Sequence, residues 1–454
     1  MKLNKHYIVP VLLLFSFYNS FSQLSKQEQK EKVKSILETI ILPSIPENRI
    51  SLLQTGGKGN GSFDNKKAFD KALMKLQKKG GGTLVVPKGN YRISGPIHLI
   101  NNLNLHLAEG ATLKFGSNTN DYPLVYTSWE GTFIYNYSPF IYGYNLHDIA
   151  ITGKGTIDGE AATTWLQWKP KENNDKLTTR DMNHNSVPVD QRIFGEGHYL
   201  RPQLVQLINC NNILVEDVRM EDSPFWCLHL LKCKGITIRG VSYDAHNKNN
   251  DGIDLEYSSN VLIENVTFNN GDDNIAIKAG RDHEGRANAA TPSKNIVVRN
   301  CLFKGLHALV IGSEMSAGVE NVFVENSKSH GYVKRGIYFK TNRDRGGYIK
   351  DIYIENLSFD ETEDLIYMTA NYHGEGNGYN SKIKDIEITN VQCNKASGTA
   401  IVIQGYKESK VENVLLSNIT VEKAKNGISV TNTQHVTIDN VIIGEEATLP
   451  TAVK

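Results

Sequence analysis

Three aspartates, Asp251, Asp272 and Asp273, are close enough in the sequence to act together on one bond. Carboxylates held near one another repel, which raises the pKa of at least one and keeps it protonated near neutral pH. A protonated carboxyl beside ionised partners is what hydrolysis of a glycosidic bond requires. Aspartates next to glycine also form turns, and this is the interpretation we favour for Asp254. For the other three, the clustering favours chemistry.

A repeated strand pattern surrounds these aspartates and must position them. The pattern reads apolar-x-apolar-x-Asn, and seven of its nine copies have asparagine at the fifth position. The alternation predicts a strand, and the asparagine predicts a turn with left-handed backbone whose side chains can stack into an internal amide ladder. The copies begin at Ile213, Ile236, Val261, Ile296, Val322, Ile352, Ile386, Val414 and Val436.

Stacked repeats of this kind predict an all-β domain, a right-handed parallel β-helix in which each coil buries its inward side chains against its neighbours. Asp251 and Asp272 are 21 residues apart, close to one short coil. We therefore expect them on one face, roughly 5 Å apart. The amphipathic stretch from Lys66 to Lys78, preceded by Asp64 and followed by glycines, predicts an N-capped helix over the open first coil.

The chain divides into three expected parts. Residues 1–22 carry two lysines and then an apolar run, which is typical of a signal peptide and predicts a secreted or periplasmic protein. Residues 23–50 are an N-terminal segment, and residues 51–454 are the β-helix domain. The polar stretch from about 160 to 200 interrupts the repeats, and we expect a loop over one face that is either functional or only solvated.

Composition limits the classes of partner. With 50 basic and 49 acidic residues the net charge is +1, so no global field indicates nucleic acid or a membrane surface. The five cysteines lack metal-binding spacing and are typical of small buried apolar residues, although one disulfide is left open. We expect a monomer without cofactor or metal that recognises its ligand at a local site.

Six short motifs follow one another along the chain: Gly82-Thr-Leu-Val-Val-Pro87, Ser223-Pro-Phe-Trp226, Asn250-Asp-Gly252, Gly271-Asp-Asp273, Ile311-Gly-Ser-Glu314 and Lys340-Thr-Asn-Arg343. Together they resemble the polygalacturonases, family 28 of the glycoside hydrolases, over about residues 50–440. The resemblance implies hydrolysis of galacturonate-containing pectic poly- or oligosaccharide with inversion. It also implies that Asp272 is the general acid and that Asp251 and Asp273 activate water. We expect attack from the chain end, with the insertion closing one end of the cleft.

The histidine of that family departs from its usual spacing. The family carries Gly-His-Gly, whereas this chain has Gly305-Leu-His307-Ala. A one-residue shift turns a strand side chain to the other face unless a bulge restores it. His307 is therefore a candidate either for catalysis or for packing.

The substrate-binding motif also departs from the family. Its Arg-Ile-Lys is represented by Tyr338-Phe-Lys340, which keeps one cation and adds an aromatic surface on which a neutral sugar could stack. Arg335, Arg343 or Arg345 could supply the missing cation. The substrate-binding candidates are Lys340, Tyr338, Arg343, His229 and Tyr372.

Two other functions stay open from the sequence. A polysaccharide lyase of the same fold would use clustered aspartates to hold calcium, which needs six to eight oxygen ligands. A non-catalytic β-helical carbohydrate-binding protein would carry the acidic cluster on a turn. Against the second, the repulsion within such a cluster has to be tolerated for some function.

Overall fold

The computed structural model describes residues 24–374, 376 and 378–445. The expected signal peptide therefore lies outside the described residues. Within them the chain is a parallel β-helix, so the predicted fold is confirmed. No helix in the described ranges is long and apolar enough to cross a membrane.

The first part of the chain builds the N-terminal coils. Its helices are α1 (Lys26–Glu38) and α2 (Lys66–Lys78). Its strands are β1 (Arg49–Ser51), β2 (Asn60–Asp64), β3 (Gly82–Val86), β4 (Gly89–Ile93), β5 (Ile97–His98), β6 (Leu103–Leu107), β7 (Ala111–Phe115), β8 (Leu124–Trp129), β9 (Thr132–Tyr137), β10 (Ile141–Tyr144), β11 (His147–Thr152) and β12 (Thr156–Asp158).

The central and C-terminal coils follow. They include helices α3 (Asn173–His184) and α4 (Asp282–Ala287). Their strands are β13 (Ile193–Phe194), β14 (Val205–Ile208), β15 (Asn211–Glu216), β16 (Arg219–Glu221), β17 (Leu228–Leu231), β18 (Lys234–Arg239), β19 (Ser242–Asp244), β20 (Ile253–Glu256), β21 (Ser259–Glu264), β22 (Asn270–Lys278), β23 (Ser293–Arg299), β24 (Leu302–Phe303), β25 (Gly305–Gly312), β26 (Val319–Ser329), β27 (Tyr332–Lys340), β28 (Tyr348–Thr369), β29 (Lys382–Gln404), β30 (Val411–Thr431) and β31 (Thr433–Glu445).

Successive coils pair through parallel ladders. One ladder runs through β14, β17, β20, β22, β25 and β27 into β28. A second runs through β11, β15, β18, β21, β23 and β26 into β28. A third joins β2, β4, β7, β12, β16 and β19. The antiparallel hairpin of β8 and β9 stands outside these ladders.

The repeat pattern matches the ladder register. All nine repeat starts, from Ile213 to Val436, are paired directly with one another, and all but Val436 are buried. Every fifth position has a positive φ, between 48° at Asn440 and 65° at Gly240, as predicted. The amide ladder also forms, for example from Asn356 Nδ2 to Asn326 Oδ1 at 3.2 Å. This ladder lies on the surface of the β-helix rather than inside it, because the left-handed backbone at each turn directs the asparagine side chains outward.

Helix α2 has the predicted bounds and covers the first coil. It buries Phe69 and Leu76 against the core and is followed by three glycines with positive φ. Asp64 accepts a hydrogen bond from the N–H of Lys66, while Asn65 occupies the N-cap position without capping through its side chain. The cap is therefore supplied from one residue earlier than the usual geometry.

Helix α1 lies across the outside of later coils. Its Ile36 packs in a small apolar cluster with Val297, Phe323 and Tyr353. Lys26 Nζ lies 2.8 Å from Glu387 Oε1. The sequence pattern did not indicate this helix, because its charged residues outnumber its apolar ones.

The insertion is not the loop that we expected. Residues 173–184 form α3, which docks on α4 through Asn183. The side-chain amide of Asn183 accepts a hydrogen bond from Glu284 N and donates one to Arg281 O.

The five cysteines are buried, and all of them are free.

Candidate active site

Four consecutive strands of one ladder bring the predicted catalytic residues to one cleft. Asp251 precedes β20, Asp272 and Asp273 lie in β22, and Lys340 ends β27. These four side chains line a cavity of about 140 Å³. The offset between β20 and β22 is 22 residues, as in the pair Ile253 and Ile275. Asp273, rather than Asp272, is therefore the register equivalent of Asp251.

A bulge in β22 lets two adjacent aspartates face the same histidine. Asn270 pairs with Gly305 and Asp273 pairs with His307, so three steps on β22 oppose two on β25. His307 Nδ1 lies 2.7 Å from Asp273 Oδ1 and 3.7 Å from Asp272 Oδ1. The structure therefore places His307 at the acidic cluster, and the bulge is the reason that its shifted spacing does not turn it away.

Asp273 is the fixed anion of the cluster. Its Oδ1 accepts from His307 and its Oδ2 lies 2.8 Å from Lys340 Nζ. Burial acts to raise its pKa, but the charge of Lys340 and the hydrogen bond from His307 outweigh this and hold the pKa well below its usual range. Asp273 is thus the carboxyl of the cluster that ionises most readily.

Asp272 is the most accessible of the three carboxyls. Its side chain keeps 23% exposure, against 2% for Asp273. Burial and the adjacent charge of Asp273 raise its pKa, with Lys340 and His307 opposing. A carboxyl that is open to the cleft and holds its proton more tightly than its neighbour can act as a general acid.

A buried lysine lies behind Asp251. Lys278 Nζ is 3.8 Å from Asp251 Oδ2, 3.5 Å from Asp254 Oδ1 and 3.2 Å from Glu314 Oε2. Burial, followed by the charges of the other aspartates, raises the pKa of Asp251 well above its usual value. Our interpretation of Asp254 as a turn residue is wrong, because Asp254 lies inside β20 and is fully buried beside Lys278.

Basic residues also line the cleft, and they come partly from the insertion. Lys176 and Arg180 of α3 lie 3.4 Å and 3.3 Å from the carboxylate of Glu130, which is 3.7 Å from Arg281. These four residues line the same cavity as the aspartates. Although burial acts to raise the pKa of Glu130, the three cations hold it below its usual value.

Two of the predicted substrate-binding residues, Tyr372 and Tyr338, place their aromatic rings near Lys340. Tyr372 lines the cavity, and its ring lies 5.6 Å from Lys340 Nζ. Tyr338 is 9% exposed and packs edge-on against His307, with ring centroids 5.4 Å apart. Tyr338 therefore supports the site from behind, with little surface for a sugar to stack on.

Other candidates lie away from the cleft. His229 is fully buried, where it donates to Glu256 and accepts from Gln206, so it cannot touch a substrate. Arg343 bonds to Asn380 and lies over the Tyr406 ring, and it does not line the cleft. The prediction of substrate contact is therefore wrong for His229, whereas for Arg343 it stays a prediction.

The two remaining arginines that could have replaced the missing cation are engaged elsewhere. Arg335 lies 3.0 Å from Glu363, and Arg345 is buried against Asp282. The arginines that line the cleft are instead Arg180 and Arg281. Sequence reasoning missed Arg180 because it lies in the insertion, although the polar run there was a signal, and missed Arg281 because it follows β22 outside the repeat pattern.

The acidic cluster is a poor cradle for calcium. One ligand atom from each of Asp272, Asp273 and His307 lies within 4.8 Å of the other two, which is close enough for one metal ion. Both oxygens of Asp273 already accept from His307 and Lys340. The set therefore offers few free oxygens and places an ammonium group beside them, whereas calcium takes six to eight oxygens.

Comparison with known proteins places the chain. Residues 80–443 match the family described as glycosyl hydrolases family 28. A probable polygalacturonase of Vitis vinifera is 29% identical over 92% of this chain and 82% of its own length. An exo-poly-alpha-D-galacturonosidase of Dickeya chrysanthemi is 28% identical over 61% of this chain and 50% of its own. The structure of a hyperthermoactive exopolygalacturonase from Thermotoga maritima superposes with a TM-score of 0.87 at 35% identity, covering 92% of this chain and 96% of that one.

Proposed function

Because this chain belongs to family 28 of the glycosyl hydrolases and is a glycoside hydrolase, we propose that it removes galacturonate units from the end of a pectic chain by single displacement with inversion. The observation that carries the proposal is the division of one carboxylate cluster into an accessible, proton-holding Asp272 and a fixed anion, Asp273. An accessible carboxyl that keeps its proton beside a fixed carboxylate supplies the general acid and the stabilising anion that such hydrolysis needs.

In the reaction, Asp272 protonates the oxygen of the departing sugar. Asp251 and Asp273 hold a water on the other side of the sugar ring, and Asp251 takes its proton as the water attacks the anomeric carbon. His307 donates to Asp273 and thereby fixes the orientation of that carboxylate. The positive charge that develops on the sugar ring is stabilised by the adjacent Asp273 carboxylate.

Galacturonate recognition is supported by the charge of the cleft walls. The cleft is lined by four cations, namely Lys176, Arg180, Arg281 and Lys340. A uronate carboxylate can be gripped by a guanidinium through two hydrogen bonds. The names of the relatives from Vitis, Dickeya and Thermotoga all refer to galacturonan as their substrate.

Attack from the chain end is supported by the position of α3. The helix fills one side of the cleft through Lys176 and Arg180, and it is docked firmly on α4 through Asn183. A wall of this kind leaves room for a chain end and blocks a continuing polymer. The relatives from Dickeya and Thermotoga are named as exo-acting enzymes.

We infer that the protein is exported and acts as a monomer. The first 22 residues have the charge and apolar run of a signal peptide. A single chain supplies the cleft residues Asp251, Asp272, Asp273 and Lys340.

Product analysis tests this function. Polygalacturonate is incubated with the protein, and products are separated by size over time while fresh product is observed by NMR. We expect monomer from the first time points and an inverted anomeric configuration. Mixed oligomers at early times would overturn the exo mode. Unsaturated, ultraviolet-absorbing products that vanish with a chelator would identify a lyase, and no cleavage of any pectic polymer would favour a binding protein.

A further inference from the structure

Asp254 is a buried carboxyl that the reaction described so far does not use. It is fully buried in β20. Among the described residues, neither of its oxygens has a hydrogen-bond donor, and the ammonium of Lys278 approaches Oδ1 only to 3.5 Å. A buried polar group without a partner is costly, so this arrangement calls for an explanation.

Asp251 is the carboxyl that shares the Lys278 ammonium with Asp254, since Lys278 Nζ lies 3.8 Å from Asp251 Oδ2 and 3.5 Å from Asp254 Oδ1. The side chain of Asp251 is therefore close enough to be a hydrogen-bonding partner of Asp254. Two ionised carboxylates are both acceptors and cannot bond to each other, whereas a proton held between them makes one a donor. This single proton would give one of the two buried oxygens of Asp254 a hydrogen-bond partner. It would also remove the repulsion between two like charges at the floor of the cleft.

Charge balance leads to the same count of protons. Lys278 is the shared cation of Asp251, Asp254 and Glu314. Glu314 also pairs with Arg281 at 3.2 Å, and although burial opposes it, these cations hold its pKa well below its usual value. Glu314 is therefore ionised. If both aspartates were ionised as well, the buried site would carry an uncompensated negative charge, which is strongly unfavourable.

The remaining neighbours do not change this balance. His229, which pairs with Asp254 in the neighbouring strand β17, donates a hydrogen bond to Glu256. Cys227 and Tyr243 lie in the core behind Asp254, and burial raises the pKa of both, so they are neutral. In the cleft, Asp272 and Asp273 add negative charge and thus favour a retained proton on the pair.

We propose that Asp254 is a positioning residue that stays protonated and donates to Asp251, so that Asp251 is held ionised and oriented as the base that receives the proton of the attacking water. Asp254 carries the proton because it is the deeper of the two, with no exposed surface, whereas Asp251 lines the cleft. The role of Asp251 rests on the proposed function; the protonation of Asp254 does not.

Difference infrared spectroscopy tests the proton directly. Spectra of the wild-type protein and of Asp254→Asn are compared at pH 7 in H₂O and in D₂O. We expect a protonated-carboxyl C=O band that is lost in the variant and that shifts in D₂O. The matched control is Asp244→Asn. Burial acts to raise the pKa of Asp244, but His246 and Arg219 lower it overall, so its substitution should remove only carboxylate bands. A loss of carboxylate bands alone in Asp254→Asn would overturn the proposal.

Kinetics test the positioning role. An amide can donate to Asp251 as a protonated carboxyl does, whereas Asp254→Leu removes the donor. We expect Asp254→Asn to keep at least about tenfold more kcat than Asp254→Leu, and the acid limb of the kcat/KM profile to move to higher pH only in the leucine variant. Equal loss in both variants, with thermal unfolding showing both folded, would overturn the role. Absence of hydrolysis in the wild-type protein would refute the proposed function and leave the infrared result to decide the protonation.

Discussion

Lys340 Nζ lies 2.8 Å from Asp273 Oδ2, and each side chain is less than a tenth exposed. Removing the cation in Lys340→Met leaves a buried carboxylate with His307 alone. We expect the free energy of unfolding at pH 7 to fall by about 3 kcal/mol. The lowered pKa of Asp273 contributes stability that is present above its unfolded-state pKa and lost as pH falls through the folded-state pKa. The deficit should therefore shrink below about pH 4.

Urea unfolding at pH 7 and pH 3 measures this deficit. Lys350→Met is the matched control, because Lys350 pairs with Glu320 at 3.1 Å while remaining about one-third exposed. An exposed pair is worth at most about 1 kcal/mol. Similar losses of the free energy of unfolding in the two variants at pH 7 would show that the buried Lys340–Asp273 pair stabilises the protein no more than an exposed pair does.

Asp272→Asn should abolish the proton donation to the departing sugar without changing the shape of the cleft. We expect kcat to fall by about 10²–10⁴-fold, with oligogalacturonide binding and the melting temperature nearly unchanged. The same substitution at Asp244, an exposed partner of Arg219, is the control and should retain full turnover. Near-normal turnover in the Asp272 variant would remove it from the role of acid.

The basic face of α3 should bind the uronate at the closed end of the cleft. The double variant Lys176→Ala/Arg180→Ala should raise KM for short galacturonides by about tenfold and should reduce the share of monomer among early products. Lys171→Ala in the same insertion is the control, because Lys171 lies over the Tyr199 ring and does not line the cleft. Unchanged KM and product pattern in the double variant would contradict this assignment.

Tyr338 separates two cations, with Lys340 Nζ 5.3 Å and Arg335 5.8 Å from its ring centroid. Tyr338→Phe should keep activity, since the ring packing is retained. Tyr338→Arg would add a third cation in a nearly closed space, so we expect a loss of stability of about 1–3 kcal/mol. If a neutral sugar normally lies near this position, the activity ratio between polygalacturonate and a rhamnose-containing substrate should rise by more than about twofold. A smaller change would refute this view of specificity.

Glu284 makes stability fall as pH rises. Burial raises its pKa from 4.5 to about 7, although Arg192 lies 3.0 Å from its Oε2. Since the folded protein holds this proton more tightly than the unfolded chain, the stabilisation is complete below pH 4.5 and is lost as pH passes 7. The loss amounts to about 3 kcal/mol. Calorimetry at pH 5 and pH 8 measures the decline, and Glu284→Gln should flatten it; an equally steep decline in that variant would assign it to another group.

The fold could be predicted from the sequence because the repeat depends on short-range patterns within each strand and turn. The apolar column from Ile213 to Val436 and the left-handed fifth position each follow from a two-residue period and a turn. A second left-handed column stands one residue before each repeat start, from Asn212 to His435. It was readable in the same sequence, since glycine, asparagine, aspartate or histidine occupies every one of these positions.

The site could be predicted only for the residues whose positions follow from spacing along the sequence. Asp251, Asp272 and Asp273 were found from their spacing, whereas the register that pairs Asp251 with Asp273 depends on a 22-residue offset. His229 was misjudged because sequence proximity to a coil does not reveal what covers it, here Gln206 and Glu256. The bulge that brings His307 back to Asp273 is a property of two paired strands, and no single segment specifies it.

Helix α1 adds contacts to this solenoid that the pairing between neighbouring coils does not supply. Each coil can form on the one before it as the chain lengthens, since pairing is with the nearest coil. Gln29 of α1, however, bonds to Glu387 across 358 residues. The helix can pack on Val297 and Phe323 earlier, but it completes its docking only once β29 exists, which makes this contact a late step of folding with a high loop-closure cost. The order of assembly is thus set by the chain: the coils from β23 to β29 stack on their neighbours first, and the N-terminal part of the helix is fixed to them afterwards.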